Sequence, residues 1–400
     1  MSEPKKNFVK GCSRKQRIPL IYDTTRKCFD GERYFQATKT EINEWSVIKS
    51  YESKYIPIKK EDDKTFEQCF IEFKERADRL KKQSKYKINL YKTGTFQKTI
   101  LHLFFSFCNK NNIYAENLTQ EEMNWFIACN HGQLNYNEHK KGEFHSCDVN
   151  SLYSSCLKSV HFKIPIKQGT FKKLTKSEFE NMFNTYFVYG IYRVRIHDNG
   201  DLKTKKMFRF SKKDFYTSTD LNVAKRIGLT MTLIEDDHDN LLTYGAGTCI
   251  TGSQLFKEIV DYLYNLRTET KNGDFKMLLN LLWGCLCENT KRTFQFDTER
   301  ELNFDIDIDT TKYTILSQCF VKDSILKIVF CKKDNYFKYN FIRLKPFLLA
   351  FTRQTVGRII EPHLDHIVKI QTDGFYSTKQ LNIEIGTNIG EVRYEGLKVL

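Results

Sequence analysis

A chain of 400 residues, 40% of them apolar, can bury a core in two or three compact units, which excludes a fibrous or disordered protein. The 64 Lys and Arg against 49 Asp and Glu give a net charge of +15, which favours polyanionic partners through counterion release, and 21 Tyr with 32 Phe add stacking surface for bases. The N-terminus MSEPKKNFVKGCSRKQRIPL has no apolar leader core, and no later run reaches the roughly 18 apolar residues of a membrane span, so an intracellular protein without membrane contact is expected, its compartment open between nucleus, cytoplasm and mitochondrion.

In chain order, residues 1–60 mix basic, aromatic and turn residues without a period and predict a loosely structured arm. Phe66, Phe70, Phe73 and Leu80 fall at helical spacing and predict a helix from Lys64 to Lys82; a second is expected from Thr95 to Asn109. Thr119 and Glu122 make a capping box, so a third helix should run to Cys129 and stop before Gly132, completing a mainly helical region over 1–125. Then the period shortens: Gly190 to Ile196 alternates as a strand, and Val321 to Lys332 and Tyr336 to Leu344 read as further strands. Between them, Gly252 to Glu288 is helical with a break at Lys271 to Asp274, where Asn272-Gly273 marks the turn of a helical hairpin. An apolar helix around Phe347 to Ile360 precedes a β-hairpin from His366 to Tyr376, with Asp373 at its turn and Gly374 supplying a positive φ. The class is α+β. None of the 12 cysteines has zinc-ribbon spacing, so reduced, buried thiols are expected.

Three segments carry chemistry. Asp148-Val149-Asn150-Ser151-Leu152-Tyr153 reads as a strand end turning into a helix, with Asp148 at the sheet rim and free backbone amides after it for phosphate oxygens. Taken alone, such an aspartate is a turn or cap residue. On the return helix of the hairpin, Lys276, Asn280, Trp283 and Gly284 share one face, while Met277, Leu278, Leu281, Leu282 and Leu286 form the other and Leu279 falls between. Arg267 and Lys271 on the opposing helix are one turn apart, so two basic ridges could converge on one anion; a solvated helix face is the bland alternative. Asp373 in the last hairpin supplies a second carboxylate. Paired carboxylates and basic groups are what phosphoryl transfer on a nucleotide needs.

In that order the segments resemble the motifs of family B DNA polymerases, above all the viral, linear-plasmid and transposon-encoded, protein-primed branch. The first is similar to D-x-x-S-L-Y-P-S, the second to K-x-x-x-N-S-x-Y-G and the third to Y-x-D-T-D-S; Asn130 to Tyr136 resembles the glycine-containing segment upstream of the first, and Ile385 to Glu391 followed by Tyr394 to Gly396 the stretch after the third. The resemblance covers residues 126–400 and implies a polymerase palm, an antiparallel sheet backed by helices over 126–250 and 293–400, with inserted fingers over 251–292. It implies Mg²⁺-dependent addition of dNTP to a DNA 3′ end. Asp148 and Asp373, with the Val149 carbonyl, would hold two Mg²⁺ ions. Leu152 and Tyr153 would meet the nucleotide, Tyr153 excluding a 2′-hydroxyl; Arg267, Lys271 and Lys276 would hold the triphosphate, Asn280 would orient it, and Trp283 and Gly284 would border the nascent pair. The implied partners of this monomer are primer–template DNA, dNTP and a terminal protein primer.

The sequence departs from the pattern at Ser154 for proline, Leu281 for serine, Trp283 for tyrosine and Gln371 for the first aspartate of D-T-D. Residues 1–125 show no D-x-E motif, so no proofreading exonuclease is expected, and with 27 residues after Asp373 (373 to 400) no thumb is expected either. A remnant that binds nucleic acid without catalysis is the alternative. The run Lys203, Lys205, Lys206, Arg209, Lys212 and Lys213, with Phe208 and Phe210, suits either a template-phosphate contact or a solvated hairpin. Asp305, Asp307 and Asp309 read as an edge strand, and Glu235 to Asp239 as an acidic loop.

Overall fold

The computed structural model describes residues 12–13, 15–25, 27–36, 54–297, 310–322, 324–333 and 335–400; the Asp305, Asp307 and Asp309 reading lies outside them. The chain forms two compact units, one of residues 1–114 with 258–285, the other of 115–257 with 286–400.

In the first unit, where a loose arm was expected, β1 (Ile18–Tyr22), β2 (Lys27–Phe29), β3 (Tyr34–Gln36) and β4 (Tyr55–Lys59) form a sheet in the order β3-β2-β1-β4, with β4 parallel to β1. Its strands are too short, and the parallel partner too distant in sequence, to leave a periodic signal. Helix α1 (Phe66–Gln83) starts at a capping box of Thr65 and Gln68 and buries Phe66 and Cys69 against Ile21 and Phe29 of the sheet. A single turn, α2 (Leu90–Thr93), leads into α3 (Phe96–Lys110), capped by Thr95.

The second unit opens with α4 (Gln120–Ala128), whose N-terminus has the expected Thr119–Glu122 box. Glu122 is fully buried and serves more than the cap. Its carboxylate accepts from Arg343 Nη2 at 2.6 Å, Tyr244 Oη at 3.0 Å and the Gly169 amide at 3.1 Å, so the buried pair is also satisfied by hydrogen bonds. There follow β5 (Asn135–Asn137), β6 (Glu143–Val149), α5 (Leu152–Leu157), β7 (Lys163–Pro165), β8 (Thr170–Lys172), α6 (Lys176–Asn184), β9 (Gly190–Ile196), α7 (Leu202–Met207), β10 (Phe215–Thr217), α8 (Ser218–Arg226), β11 (Met231–Leu233), β12 (Leu241–Thr243) and β13 (Cys249–Thr251). Strands β10-β9-β12-β8 make one sheet, and Gly190 sits where a Cβ would lie 2.3 Å from the Leu242 carbonyl oxygen.

The helical hairpin is α9 (Gly252–Thr270) and α10 (Gly273–Leu286), and its residues 258–285 belong to the first unit. Arg76 Nη2 meets Asp274 at 2.5 Å, Tyr262 Oη donates to the Ser84 carbonyl at 3.0 Å and Asn272 donates to Gln83 at 2.7 Å, joining the hairpin to α1. At the break the left-handed residue is Lys271 (φ 53), ahead of Asn272-Gly273.

The chain re-enters the second unit through β14 (Arg292–Asp297), β15 (Tyr313–Lys322) and β16 (Ile325–Lys332), a sheet ordered β14-β16-β15. The stretch read as one strand from Val321 to Lys332 is divided between the end of β15 and β16, Lys322 pairing with Ile325. Tyr336 to Leu344 is not a strand: Phe337 makes one isolated bridge, and Asn340–Arg343 form a 3-10 turn that presents Arg343 to Glu122. Helix α11 (Leu344–Ile360) then precedes β17 (Ile367–Gln371), β18 (Gly374–Ser377) and β19 (Val392–Val399). These strands complete an antiparallel sheet, β19-β6-β18-β17-β5, that carries both predicted aspartates at its rim. No helix among the described residues is long and apolar enough to cross a membrane.

Candidate active site

Asp148 is the next-to-last residue of β6, and its cross-strand partners are Gly374 on β18 and Arg393 on β19. Asp373 occupies the two-residue loop between β17 and β18, where Gln371 pairs Gly374, and its carbonyl accepts the Val149 amide at 3.0 Å. Asp148 at the end of β6 and Asp373 in the β17–β18 loop, distant in sequence, therefore stand side by side at one rim of the sheet. A Cβ at Gly374 would lie 3.8 Å from Asp148 Oδ1 and 3.5 Å from the Cys147 carbonyl oxygen. The positive φ expected at Gly374 falls instead on Thr372 (φ 63), the first loop position, whose amide donates to the Leu134 carbonyl at 3.2 Å. Side-chain oxygens of Asp148 and Asp373 are hard donors of the kind Mg²⁺ takes in pairs alongside substrate phosphates and water, so the donor set fits that ion.

Past Asp148 the backbone turns sharply, with Ser151 left-handed (φ 53) before α5. The amides after Asp148 are not all free, as the sequence reading had them. Val149 donates to Asp373 and Asn150 to the Glu391 carbonyl at 2.9 Å, because the strand continues its pairing to that point. Asn150 Nδ2 also donates to the carbonyls of Thr387 (2.8 Å) and Asn388 (3.1 Å), binding the segment before β19 to this turn. Leu152 is 1% exposed, so its side chain is a core residue and not a nucleotide contact. Tyr153 is half-buried; burial first, then the nearby Asp373 charge, pushes its phenol up to about 12, which keeps the ring neutral.

Arg393 had no sequence motif. Arg393 Nη2 lies 3.5 Å from Asp148 Oδ2 and 2.5 Å from Glu395 Oε1, while Glu395 also bonds Lys398, and these partners, Lys398 first, hold its carboxyl below the usual range although its own partial burial opposes this. Only the register of β19 on β6 places Arg393 opposite Asp148.

In the hairpin, Lys276, Asn280 and Gly284 are exposed and Trp283 is half-buried, on one face as expected, whereas Leu278, Leu279, Leu282 and Leu286 are buried. Arg267 is half-buried, 5.8 Å over the Tyr264 ring, and Lys271 is exposed. These residues belong to the first unit and both aspartates to the second.

The basic run from Lys203 is a short helix, α7, and a loop, not a hairpin. Lys205, Arg209, Lys212 and Lys213 are exposed, but Lys206 is fully buried and cannot meet a phosphate. Its ammonium donates to the Leu364 carbonyl at 2.8 Å and lies 3.1 Å from Glu138 and 4.9 Å over the Tyr136 ring, a set of partners that offsets its desolvation. Phe208 is buried against Tyr216 and Phe210. The acidic loop after Ile234 is as expected, with Asp236 paired to Arg193 at 2.5 Å.

No protein-family model and no curated protein sequence matches this chain. Among solved structures it is similar to phi29 DNA polymerase, a protein-primed family B polymerase. The complex of that enzyme with single-stranded DNA matches at 16% identity and a TM-score of 0.54, over 83% of this chain and 54% of that one. The ternary complex with primer–template DNA and incoming nucleotide substrates matches at 18% and 0.53, over 83% and 56%, and the post-translocation binary complex with primer–template DNA at 14% and 0.52, over 84% and 57%. The chain thus has the fold of a family B polymerase and spans a little over half the length of the one it matches.

Proposed function

We propose that this chain is a DNA-directed DNA polymerase of family B type that adds dNTP to a DNA 3′ end. The observation that carries the reading is the pairing of Asp148 with Gly374 and of the Val149 amide with the Asp373 carbonyl, which sets a strand-end aspartate beside the aspartate of the neighbouring hairpin loop. The likeness in fold to a polymerase crystallised with DNA and nucleotide supports it. The sheet of β19-β6-β18-β17-β5 would be the palm and α9–α10 the fingers.

Asp148, Asp373 and the Val149 carbonyl would hold two Mg²⁺ ions. When bound, such ions supply neutralisation of the triphosphate and a more acidic 3′-hydroxyl. Arg267, Lys271 and Lys276 would bind the triphosphate, with Asn280 orienting it beside Trp283 and Gly284. The Tyr153 ring would close the pocket against a 2′-hydroxyl. Lys205, Arg209, Lys212 and Lys213 would meet template phosphates through charge alone. A terminal protein would be a primer beside primer–template DNA, and the working form would be a monomer.

A second reading, a non-catalytic nucleic-acid binder, is favoured by Arg393, whose guanidinium competes for Asp148, and by Gln371. Primer extension with Mg²⁺ and dNTPs separates the two. Incorporation that disappears with Asp148→Ala or Asp373→Ala supports the enzyme; DNA binding without incorporation by the unmodified chain supports the binder.

A further inference from the structure

From Arg79 to Ala115 the chain carries eight Lys or Arg and no Asp or Glu. Five of these cations, Lys81, Lys82, Lys85, Lys87 and Lys92, stand between the end of α1 and α2, and among the described residues none of the five meets a carboxylate at ion-pair distance. The turn that carries them is fixed. Ser84, 1% exposed, accepts the Ile88 amide at 2.9 Å through Oγ, while its carbonyl accepts from the Lys87 amide at 3.2 Å and from Tyr262 Oη at 3.0 Å. The Tyr86 amide donates to the Lys81 carbonyl at 2.8 Å. Between these bonds Lys85 (φ 50) and Tyr86 (φ 68) are both left-handed. Glycine takes that conformation without strain, so the turn keeps a lysine and a tyrosine at an energetic cost that its own geometry does not require. The Tyr86 ring is 73% exposed, with Lys81 Nζ 5.6 Å over its face.

The next residue, Lys87, lines a groove of about 450 Å³ between α3 and α9. Leu103, Phe107, Ile259 and Tyr262 make the lining mainly apolar, and Lys87 Nζ stands 4.8 Å over the Tyr262 ring. Lys110, which also lines it, is 3.9 Å from Glu258.

We propose that this turn and groove bind single-stranded nucleic acid, with the lysines on phosphates, the Tyr86 ring as a stacking platform and the groove as the seat of one unpaired base. Cations without carboxylate partners, interleaved with aromatic faces, are the surface on which a single strand lies. A duplex offers the same phosphates, but its paired bases cannot enter an apolar groove. None of these residues serves the metal ions, the triphosphate or the template phosphates in the polymerase reading, so the site goes beyond that reading and does not depend on incorporation.

The test measures binding to the full chain by fluorescence anisotropy, in EDTA and without nucleotide. The probes are a fluorescein-labelled oligo(dT) of about 12 nucleotides, an abasic strand with the same phosphates, and a duplex of equal length. Tyr86→Ala should weaken oligo(dT) binding about fivefold or more and leave the abasic strand and the duplex unchanged. Ser106→Leu, which fills the groove from an exposed lining position, should likewise weaken oligo(dT) alone. Lys82→Ala and Lys85→Ala should each reduce the slope of log K against log salt for oligo(dT) by about 0.7. All four side chains are exposed, so the urea midpoints should stay parental. Parental oligo(dT) affinity in Tyr86→Ala, an equal loss with the abasic strand, or unchanged salt slopes in the lysine variants overturns the proposal. Incorporation by the unmodified chain together with parental oligo(dT) affinity in Tyr86→Ala removes this site and keeps the polymerase reading; Tyr86-dependent binding in a chain that incorporates nothing does the converse.

Discussion

Replacing Arg353 by Met should be among the most damaging single changes in the second unit. The guanidinium is 5% exposed and Asp220 3%, they meet at 2.7 Å, and two backbone carbonyls, of His131 and Gly132, rely on the same group. Removing it leaves the Asp220 carboxylate with the Thr217 amide and hydroxyl and the adjacent His131, in a site buried from solvent. Breaking a buried pair from one side costs about 3–5 kcal/mol, a large share of the roughly 5–15 kcal/mol that holds a domain. Urea unfolding read by Trp125 reports on this unit, since that indole is buried against Phe171 and Phe215 at 5.4 and 5.0 Å. With Trp45→Phe and Trp283→Phe as background, it is the sole indole of the three. At an m-value near 2 kcal/mol/M the midpoint should fall by about 2 M. Adding Asp220→Asn removes the stranded charge and should return more than half of the loss. A single variant that loses less than about 1 kcal/mol, or a double variant no more stable than the single, refutes the reasoning.

Lys206→Met should destabilise the second unit by removing the buried ammonium that bonds the Leu364 carbonyl and Glu138, yet leave the salt dependence of DNA binding unchanged; Arg209→Ala should do the reverse, reducing the slope of log K against log salt by about 1 in fluorescence anisotropy titrations. Burial, with the Arg353 charge beside it, holds His131 below its ordinary 6.5. The unfolded chain therefore takes up that proton first, and the stability His131 contributes is complete above that ordinary value and lost as pH falls through the folded one. His131→Gln should flatten the decline in urea stability from about pH 7 to about pH 5, and an unchanged decline would exclude His131 as its source.

Local signals were readable wherever one segment decides its own structure. Thr119 with Glu122, the apolar spacing of α1 and the Lys271–Asp274 break each specify an element through contacts a few residues apart, and each is present. What escaped depends on partners far along the chain. Lys206 looks like one more cation in a basic run, and only Glu138 and the Leu364 carbonyl make it a core residue. Arg343 lies in a stretch that alternates like a strand, but its ion pair with Glu122 is made from a 3-10 turn. The two aspartates were legible by motif, and the strand register supplies their adjacency. Arg393 opposite Asp148 was legible in neither way, since it follows from a pairing that no short window encodes.

The claim on which the rest depends is that Asp148 and Asp373 bind cations as one site. Mn²⁺ titration of the full chain in the presence of dTTP, followed by the EPR signal of free Mn²⁺, measures this without requiring turnover. Tight binding by the unmodified chain, lost in Asp148→Asn and equally in Asp373→Asn with no further loss in the double variant, is the predicted result. Binding that survives in either single variant, or that is lost in independent, additive steps, would contradict it.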